Sequence, residues 1–167
     1  VSTGLSLKPA NTLALAMIDM ANRPQVMHQT GNANLDEVRA GYQRAGVEGE
    51  LLPFIDDMAQ RLADCDLIVC RAGAVTVSEL CAAGVPAVLV PLVVSTTSHQ
   101  RDNAQWLAGQ GAGIHLPQAE LTPRKLAELL SGLTRDALLA MASKARALAQ
   151  PRAAARVADQ IESLVVA

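Results

Sequence analysis

The stretch CRAGAVTVSEL, residues 70–80, joins a short apolar run to a helical pattern and contains groups that could bind a ligand. Its small residues 72–74 would let a ligand approach the backbone, where the N–H groups and positive dipole end of a helix suit a diphosphate. Glu79 would then project outward and accept hydrogen bonds from vicinal hydroxyl groups. A second interpretation stays open, because Thr76 and Glu79 also match the T-x-x-E capping box, in which the glutamate bonds only its own helix.

The stretch FIDDM, residues 54–58, follows a strand-like run and precedes a helical pattern. Phe54 or Ile55 would supply apolar contact to a flat base, and exposed backbone groups would recognise the edge of that base. The alternative is purely structural, with Asp56 as the N-cap of a helix whose first-turn acids complement the helix dipole.

A polar run, STTSHQRDN at residues 95–103, follows an apolar segment. His99 and Asn103 lie four residues apart and would share one helix face, with Gln100 beside them. Imidazole and amide groups both donate and accept hydrogen bonds, as sugar hydroxyls do, so this face would suit a sugar. The alternative is a solvated loop and helix start, with Ser98 as the N-cap.

The composition of the 167-residue chain indicates one domain, or one domain with a tail, built around an aliphatic core. Half of the residues are hydrophobic, yet only Tyr42, Phe54 and Trp106 are aromatic. A net charge of −2 without a basic block argues against nucleic-acid binding and against a polybasic contact with anionic membranes. We expect no signal peptide and no transmembrane segment, because the apolar runs are short and contain prolines.

The cysteines and histidines form no recognisable catalytic or metal-binding motif. Cys65, Cys70 and Cys81 lie in or beside apolar segments and are predicted to be free, buried thiols in a reducing cytoplasm. His28 and His115 lie in predicted strands without a neighbouring ligand, so we expect neither a metal nor another cofactor. The absence of G-x-S-x-G, P-loop and G-x-G-x-x-G motifs disfavours hydrolase, NTPase and dehydrogenase functions.

Short apolar runs alternate with longer helical patterns and predict an α/β fold, an open parallel sheet flanked by helices. The predicted strands cover residues 25–29, 48–52, 67–70, 86–90 and 112–116. The predicted helices cover residues 11–21, 35–45, 56–63, 76–83, 98–108, 123–131, 136–148 and 153–166. Residues 1–150 would form the domain and residues 151–167 a C-terminal helix. Ligands of such sheets lie beyond the carboxyl ends of the strands, where the three stretches above begin.

In this order and at this spacing, FIDDM, CRAGAVTVSE and HQRDNA resemble one family, MurG. Its members are bacterial transferases that move N-acetylglucosamine from UDP-N-acetylglucosamine to lipid I and so form lipid II for peptidoglycan. The resemblance covers nearly the whole chain but only the C-terminal, nucleotide-sugar domain of that family. It therefore implies the Rossmann-like half of a two-domain GT-B glycosyltransferase, which binds the donor of an inverting, metal-independent reaction.

The resemblance also implies a role for individual residues. Glu79 matches the glutamate that bonds the ribose hydroxyls, and Ile55 matches the position where backbone groups recognise uracil, with Phe54 beside it. Residues 73–76 match the glycine-rich loop near the diphosphate, and His99 stands where many members have glutamine, among the groups around the acetylglucosamine. The implied substrate-binding set is Phe54, Ile55, Arg71, Gly73, Ala74, Val75, Thr76, Glu79, His99, Gln100 and Asn103.

Two departures from the family concern the acceptor domain and the first loop. The acceptor domain, which would supply the lipid I site, the membrane patch and the base, has no counterpart in these residues, so no catalytic residue is assigned. In the first loop the family's G-G-S-x-G-A run is replaced by STGLSL, residues 2–7, with Lys8 and Asn11 in later matching places. Side chains there would crowd the phosphates, so we expect weak UDP binding. Without the acceptor domain we expect no transfer by the chain alone.

The setting of the domain leaves further interpretations open. In the full enzyme the protein would be peripheral on the cytoplasmic face of the inner membrane. The C-terminal helix would pack toward the acceptor domain or, without it, drive self-association. Alternatively, the chain would be a non-catalytic UDP-sugar-binding subunit that needs a separate acceptor-domain partner. A nucleotide-sugar 2-epimerase or related GT-B enzyme is a third interpretation, although its set of catalytic acids is not evident.

Overall fold

A six-stranded parallel sheet forms the centre of the part of the chain that the computed structural model describes, residues 2–3, 8–92 and 98–165. The strand order is β3-β2-β1-β4-β5-β6, so the chain winds outward on one side and then crosses back from β3 to β4. Every neighbouring pair in this order is parallel. The strands are β1 (Ser2–Thr3), β2 (Met27–Gln29), β3 (Glu50–Leu52), β4 (Ile68–Cys70), β5 (Ala87–Leu89) and β6 (Gly113–His115).

Helices connect the strands and pack on both faces of the sheet, as a parallel sheet requires. In the described ranges they are α1 (Lys8–Met17), α2 (Leu35–Ala45), α3 (Met58–Ala63), α4 (Ala74–Ala83), α5 (His99–Gly109), α6 (Pro123–Gly132), α7 (Arg135–Ala147) and α8 (Ala153–Val165). Short 3-10 turns occupy Met20–Asn22, Asn32–Asn34 and Gln118–Glu120.

Two hydrophobic cores form, one on each face of the sheet. Ile68 and Leu89 enter the first core together with Leu107 of α5, whereas Val88 enters the second core together with Leu126 of α6. Neighbouring residues of β5 therefore point to opposite faces and are buried on both. This explains why the central strands appear in the sequence as continuous apolar runs rather than as alternating ones.

The structure confirms the predicted parallel α/β fold and the five predicted strands, each one or two residues shorter than expected. Strand β1 was not predicted, because Ser2–Thr3 is polar and only two residues long. The bounds predicted for the first helix were wrong, since α1 runs from Lys8 to Met17 and a 3-10 turn follows it. Pro9 lies in the first turn of α1, where a missing N–H breaks no helical bond.

The predicted end of α2 is confirmed, whereas the predicted start of α3 was wrong. Helix α2 ends before Gly46, which adopts the left-handed conformation with φ 60°, as its sequence position predicted. The prediction of Asp56 as an N-cap was wrong, because the N-cap of α3 is Asp57. The carboxylate of Asp57 accepts a hydrogen bond from Arg61 Nε at 2.9 Å instead of capping the backbone.

The C-terminal helix is present as α8, and every side chain described between residues 151 and 164 is exposed. Val157, Ile161 and Leu164 lie at spacings of four and three along it and form one apolar stripe. In the described part of the chain, no helix has the length and apolar character needed to cross a bilayer.

The cysteines are free, as predicted, although Cys65 is only half-buried. Burial raises the pKa of the Cys70 thiol to about 12, so this thiol is protonated at neutral pH. His28 is also buried in a strand, and its Nδ1 lies 3.2 Å from the hydroxyl oxygen of Tyr42. These groups serve the packing of the core.

Candidate functional site

The three stretches singled out in the sequence meet at one edge of the sheet. Because all strands are parallel, the carboxyl ends of β3, β4 and β5 share this edge, and the loops that follow them begin there. The winding direction reverses between β1 and β4, which is where open α/β sheets bind ligands. The loop between β4 and α4 therefore occupies the expected ligand position.

Helix α4 begins directly after this loop, and no side chain caps its N-terminus. Its N-cap is Gly73, whose carbonyl accepts a hydrogen bond from the Val77 N–H at 2.9 Å. The N–H groups of the first turn precede this bond and have no acceptor within the helix. A Cβ placed on Gly73 would meet only Thr76 Oγ1, at 3.6 Å, so neither packing nor backbone conformation demands glycine. The glycine leaves open access to these donors.

The capping-box interpretation of Glu79 was wrong. Because α4 begins at Ala74, Thr76 lies inside the first turn and is not the N-cap, and Glu79 lies almost a full turn further on. Glu79 is exposed, and side chains on a helix lean toward its N-terminus. From this position the carboxylate can reach over the turn that carries Val75 and Thr76.

Helix α5 is tied to the neighbouring loops by two amide side chains. Asn103 Nδ2 donates to the Ala72 carbonyl at 2.9 Å, and Gln100 Oε1 accepts from the Leu92 N–H at 2.9 Å. His99, the first residue of α5, is exposed. The structure thus brings Gln100 and Asn103 to the predicted site, where one polar atom of each side chain positions a loop and the other is the atom that could meet a sugar.

The N-terminus of α5 also lacks a side-chain cap on its backbone. Ser98 is the N-cap residue, as predicted, but its hydroxyl donates to Asp102 Oδ2 at 2.9 Å. A capping hydroxyl would instead accept a hydrogen bond from a backbone N–H in the first turn. Two helices that start at this edge, α4 and α5, consequently present uncapped N-termini.

Arg71 fastens the β4–α4 loop to the next strand. Its Nη1 donates to the Val90 carbonyl at 2.9 Å and to Gln118 Oε1 at 2.8 Å. Partial burial lowers the pKa of Arg71 below its ordinary value, yet a guanidinium stays charged. The side chain therefore brings a positive charge to the carboxyl ends of β4 and β5 and holds both in place.

The FIDDM stretch separates an exposed ring from a buried aliphatic side chain. Phe54 is 63% exposed, whereas Ile55 is buried and its backbone N–H donates to Gln29 Oε1 at 3.3 Å. Gln29 is the last residue of β2, so it joins the ends of β2 and β3 at the site edge. The ring of Phe54, the backbone at Ile55 and the amide of Gln29 together suit a flat base with polar edges.

Comparison with known sequences shows the family of the chain. The sequence profile of the glycosyltransferase family 28 C-terminal domain matches residues 5–161. The chain belongs to this family. Curated relatives from Methylibium petroleiphilum and Chromobacterium violaceum are 66% identical over 154 residues and 63% identical over 153 residues. Both are named UDP-N-acetylglucosamine–N-acetylmuramyl-(pentapeptide) pyrophosphoryl-undecaprenol N-acetylglucosamine transferase.

This family 28 domain accounts for less than half of those relatives. The matches cover 91% and 90% of this chain but 42% of each relative. The crystal structure of Acinetobacter baumannii MurG superposes with a TM-score of 0.88 at 39% identity, covering 98% of this chain and 48% of that one. These findings confirm the predicted resemblance to the C-terminal domain of MurG and the predicted GT-B fold class.

A more distant structure has the same fold. The UDP-glucose:anthocyanidin 3-O-glucosyltransferase, solved in complex with UDP, superposes with a TM-score of 0.67 at only 17% identity. At that identity the likeness concerns the fold alone.

The family 28 domain positions most of the predicted site residues around the N-termini of α4 and α5. Two polar residues at this edge were missed in the sequence, Gln29 and Gln118, which bond Ile55 and Arg71. The signal that could have found Gln29 is a polar residue at the last position of a predicted strand. Of the altered first loop, Ser2 and Thr3 form β1, and residues 4–7 lie outside the described residues, as do residues 95–97 of the polar run.

Proposed function

We propose that the chain is the donor-binding half of a MurG-type N-acetylglucosaminyltransferase and that it binds UDP-N-acetylglucosamine. The observation that carries this proposal is the uncapped N-terminus of α4, placed where the sheet reverses direction and preceded by Gly73. The family membership of the chain and the name of its relatives agree with a nucleotide-sugar ligand. With the diphosphate at this helix start, the other predicted residues are assigned to the nucleoside and to the sugar.

The diphosphate lies at the α4 N-terminus in this proposal. Backbone N–H groups of Ala74, Val75 and Thr76 donate to its oxygens, and the helix dipole favours its negative charge. Arg71 adds a fixed positive charge from the same loop. When the bond to the sugar breaks, these preorganised groups stabilise the charge that develops on the leaving UDP.

The nucleoside and the sugar extend from the diphosphate in two directions. Glu79 accepts hydrogen bonds from the vicinal ribose hydroxyls, and the segment Phe54–Ile55 contacts the uracil. His99, Gln100 and Asn103, on α5, bond the hydroxyls of the N-acetylglucosamine. The exposed ring of Phe54 and the exposed carboxylate of Glu79 both face solvent and are accessible to a ligand without rearrangement of the core.

The chemistry of the whole enzyme requires a second half. A hydroxyl of lipid I attacks the anomeric carbon, the bond from that carbon to the diphosphate breaks, and UDP leaves with the electron pair and inversion of configuration. The acceptor half supplies the lipid I site, the base that takes the proton, and the peripheral contact with the cytoplasmic face of the inner membrane. This chain orients the donor and stabilises the leaving group, so no catalytic base is assigned to it.

Calorimetric titration of the chain with UDP and UDP-N-acetylglucosamine tests the donor role. We expect weak but saturable binding of both, and no saturable binding of ADP, because the base site is built for uracil. Equal binding of ADP, or no binding of UDP at saturating concentration, would contradict the proposal.

Reconstitution tests the half-enzyme role. We expect transfer to a lipid I analogue only after the chain is combined with the separately produced N-terminal part of a longer relative. Transfer by the chain alone would show that it contains its own acceptor site and base, contrary to the proposal.

A second candidate function is a non-catalytic UDP-sugar-binding subunit that associates with a separate acceptor-domain polypeptide. The exposed apolar stripe of α8, formed by Val157, Ile161 and Leu164, favours an association of this kind. Deleting the residues after Pro151 should change the oligomeric state or solubility and leave UDP affinity unchanged. Light scattering and titration of the two chains provide the measurement. Lost UDP affinity at an unchanged oligomeric state would contradict the assignment of α8 as a docking surface.

A further inference from the structure

The side chain of Gln29 reaches from β2 to the segment that is proposed to contact the base. Gln29 is the last residue of β2, and its Oε1 accepts a hydrogen bond from the Ile55 N–H at 3.3 Å. The two strands whose ends it joins, β2 and β3, are neighbours in the sheet. Gln29 therefore stands beside the proposed base site, although the sequence pattern gave it no role.

The backbone around Ile55 is held in place by contacts that do not involve Gln29. The Gly31 N–H donates to the Pro53 carbonyl at 3.0 Å, so the pairing between β2 and β3 continues beyond both strands. The Ile55 side chain is buried, with 2% of its surface exposed. Since these contacts fix the segment on either side of the bond, the amide of Gln29 is available for a role toward a ligand.

The bond to Ile55 determines which way the amide of Gln29 faces. A backbone N–H can only donate, so the amide oxygen must face it and the NH₂ group is left for another partner. Among the residues that the structure describes, no acceptor bonds Nε2 of Gln29, and this atom is not one of the buried polar atoms without a partner. The amide consequently offers hydrogen-bond donors next to Ile55 that a ligand can reach.

The same segment offers an acceptor, because the Ile55 carbonyl oxygen has two lone pairs and a ligand can use one of them. A donor beside an acceptor complements the edge of uracil, in which a carbonyl oxygen lies beside the N3–H. Cytosine carries the N4 amino group where uracil carries O4. Against cytosine the amide of Gln29 would place donor against donor, and polar groups left unpaired in a complex weaken binding.

We infer that Gln29 determines the base specificity of the site: its Nε2 donates to the O4 carbonyl of uracil while its Oε1 keeps the bond to the Ile55 N–H. The residue thereby selects uridine over cytidine diphosphate sugars. This inference rests on the proposed donor function and deepens it. A side chain that accepts from Ile55 but has no donor of its own should lose the selection. Glutamate is such a side chain, because an ionised carboxylate only accepts.

Titration of the parent chain and of Gln29→Glu with UDP and with CDP tests the inference. We expect the parent to bind UDP at least about tenfold more tightly than CDP, and Gln29→Glu to reduce this ratio at least about tenfold through weaker UDP binding. Both ligands carry the same diphosphate, so repulsion between the added carboxylate and the phosphates cancels in the ratio.

The matched control is Gln43→Glu, which adds the same charge at an exposed position of α2, away from the base segment. It should keep the ratio of the parent. Melting temperatures of the three chains show whether each variant is folded. A second measurement uses the parent alone: in heteronuclear NMR spectra, the side-chain NH₂ resonances of Gln29 should shift on saturation with UDP.

The outcomes separate this inference from the donor function. An unchanged UDP-to-CDP ratio in a folded Gln29→Glu chain would overturn the inference and leave the donor function in place. Gln29 side-chain resonances that do not move at saturating UDP, or equal affinity of the parent for UDP and CDP, would do the same. The absence of saturable UDP binding by the parent would overturn the donor function and, with it, this inference.

Discussion

The helices α2 to α7 begin in two different ways: no side chain caps α2, α3, α4 or α5, which follow strands β2 to β5 at the edge of the sheet that holds the candidate site, whereas α6 and α7 are capped. Helices α6 and α7 are each capped by a threonine, because Thr122 Oγ1 accepts from the Lys125 N–H at 3.1 Å and Thr134 Oγ1 accepts from the Ala137 N–H at 3.2 Å. Helix α4 begins after a glycine, and no side chain caps it. In a capped helix the cap side chain bonds one of the first N–H donors, whereas in an uncapped helix all of these donors stay open to a ligand.

The largest expected effect comes from the carboxylate beside the uncapped helix. Glu79→Gln should raise the Kd for UDP by about tenfold to a hundredfold, because hydrogen bonds to a charged group contribute about 1.5–3 kcal/mol. The free energy of unfolding should change by less than about 0.5 kcal/mol, since the side chain is exposed and caps nothing. Calorimetry with UDP and urea unfolding measure the two quantities.

The matched control for Glu79 is Glu128, an exposed glutamate on the capped helix α6. Glu128→Gln should leave both UDP affinity and stability unchanged. If Glu79→Gln lowered stability by more than about 1 kcal/mol at unchanged affinity, its role would be structural and the contrast between the two helix starts would lose its meaning.

A smaller effect is expected from filling the space that the glycine leaves. Gly73→Ala should weaken UDP binding by about threefold to tenfold, because the added methyl group stands where the diphosphate approaches. Stability should stay within about 0.5 kcal/mol, since the methyl meets no close neighbour and the lower entropy of the unfolded chain offsets the poorer N-cap.

Gly109→Ala is the control for this change, because it adds the same methyl group at the end of α5 with nothing within 4 Å. It should not alter UDP binding. Equal affinity for UDP in the parent and in Gly73→Ala would show that the ligand does not approach the backbone at this helix start.

At a capped helix, substitution of the cap residue should change stability and leave UDP affinity unchanged. Thr134→Ala should lower the free energy of unfolding by about 1 kcal/mol, because the N–H that bonded the hydroxyl loses its acceptor. Thr134→Ser should restore most of this loss, and UDP affinity should be the same in all three chains. A change in UDP affinity comparable to that of Glu79→Gln would extend the binding site to α7. It would contradict the view that the capped helices serve only the fold.

The sequence predicted the fold because its signals are local. Helix α2 was predicted with its observed bounds, since apolar residues recur at spacings of three and four and Gly46 stops it. The start of α4 was missed by two residues, because Gly73 acts as an N-cap through the absence of a side chain, whereas the threonine that suggested a cap lies inside the helix. A capping motif is defined by its side chains, so it cannot indicate a helix that begins at a glycine without a side-chain cap.

The candidate site could be predicted only in part, because its connections join distant residues. Ile55 bonds Gln29, 26 positions earlier, and Arg71 bonds Gln118, 47 positions later. No spacing along the chain indicates such pairs; they follow from the parallel sheet, which brings the ends of successive strands to one edge.

The smallest expected effect sharpens the comparison most, because it concerns a serine in the N-cap position that does not act as a cap. The Ser98 hydroxyl donates to the exposed carboxylate of Asp102, and no backbone N–H depends on it. Ser98→Ala should therefore lower the free energy of unfolding by less than about 0.3 kcal/mol, well below the loss expected for a true cap such as Thr134. Urea unfolding of both alanine variants under one condition provides the measurement. A loss of about 1 kcal/mol for Ser98→Ala would mean that α5 begins like α6 and α7 and does not belong with the uncapped helices at the edge of the site.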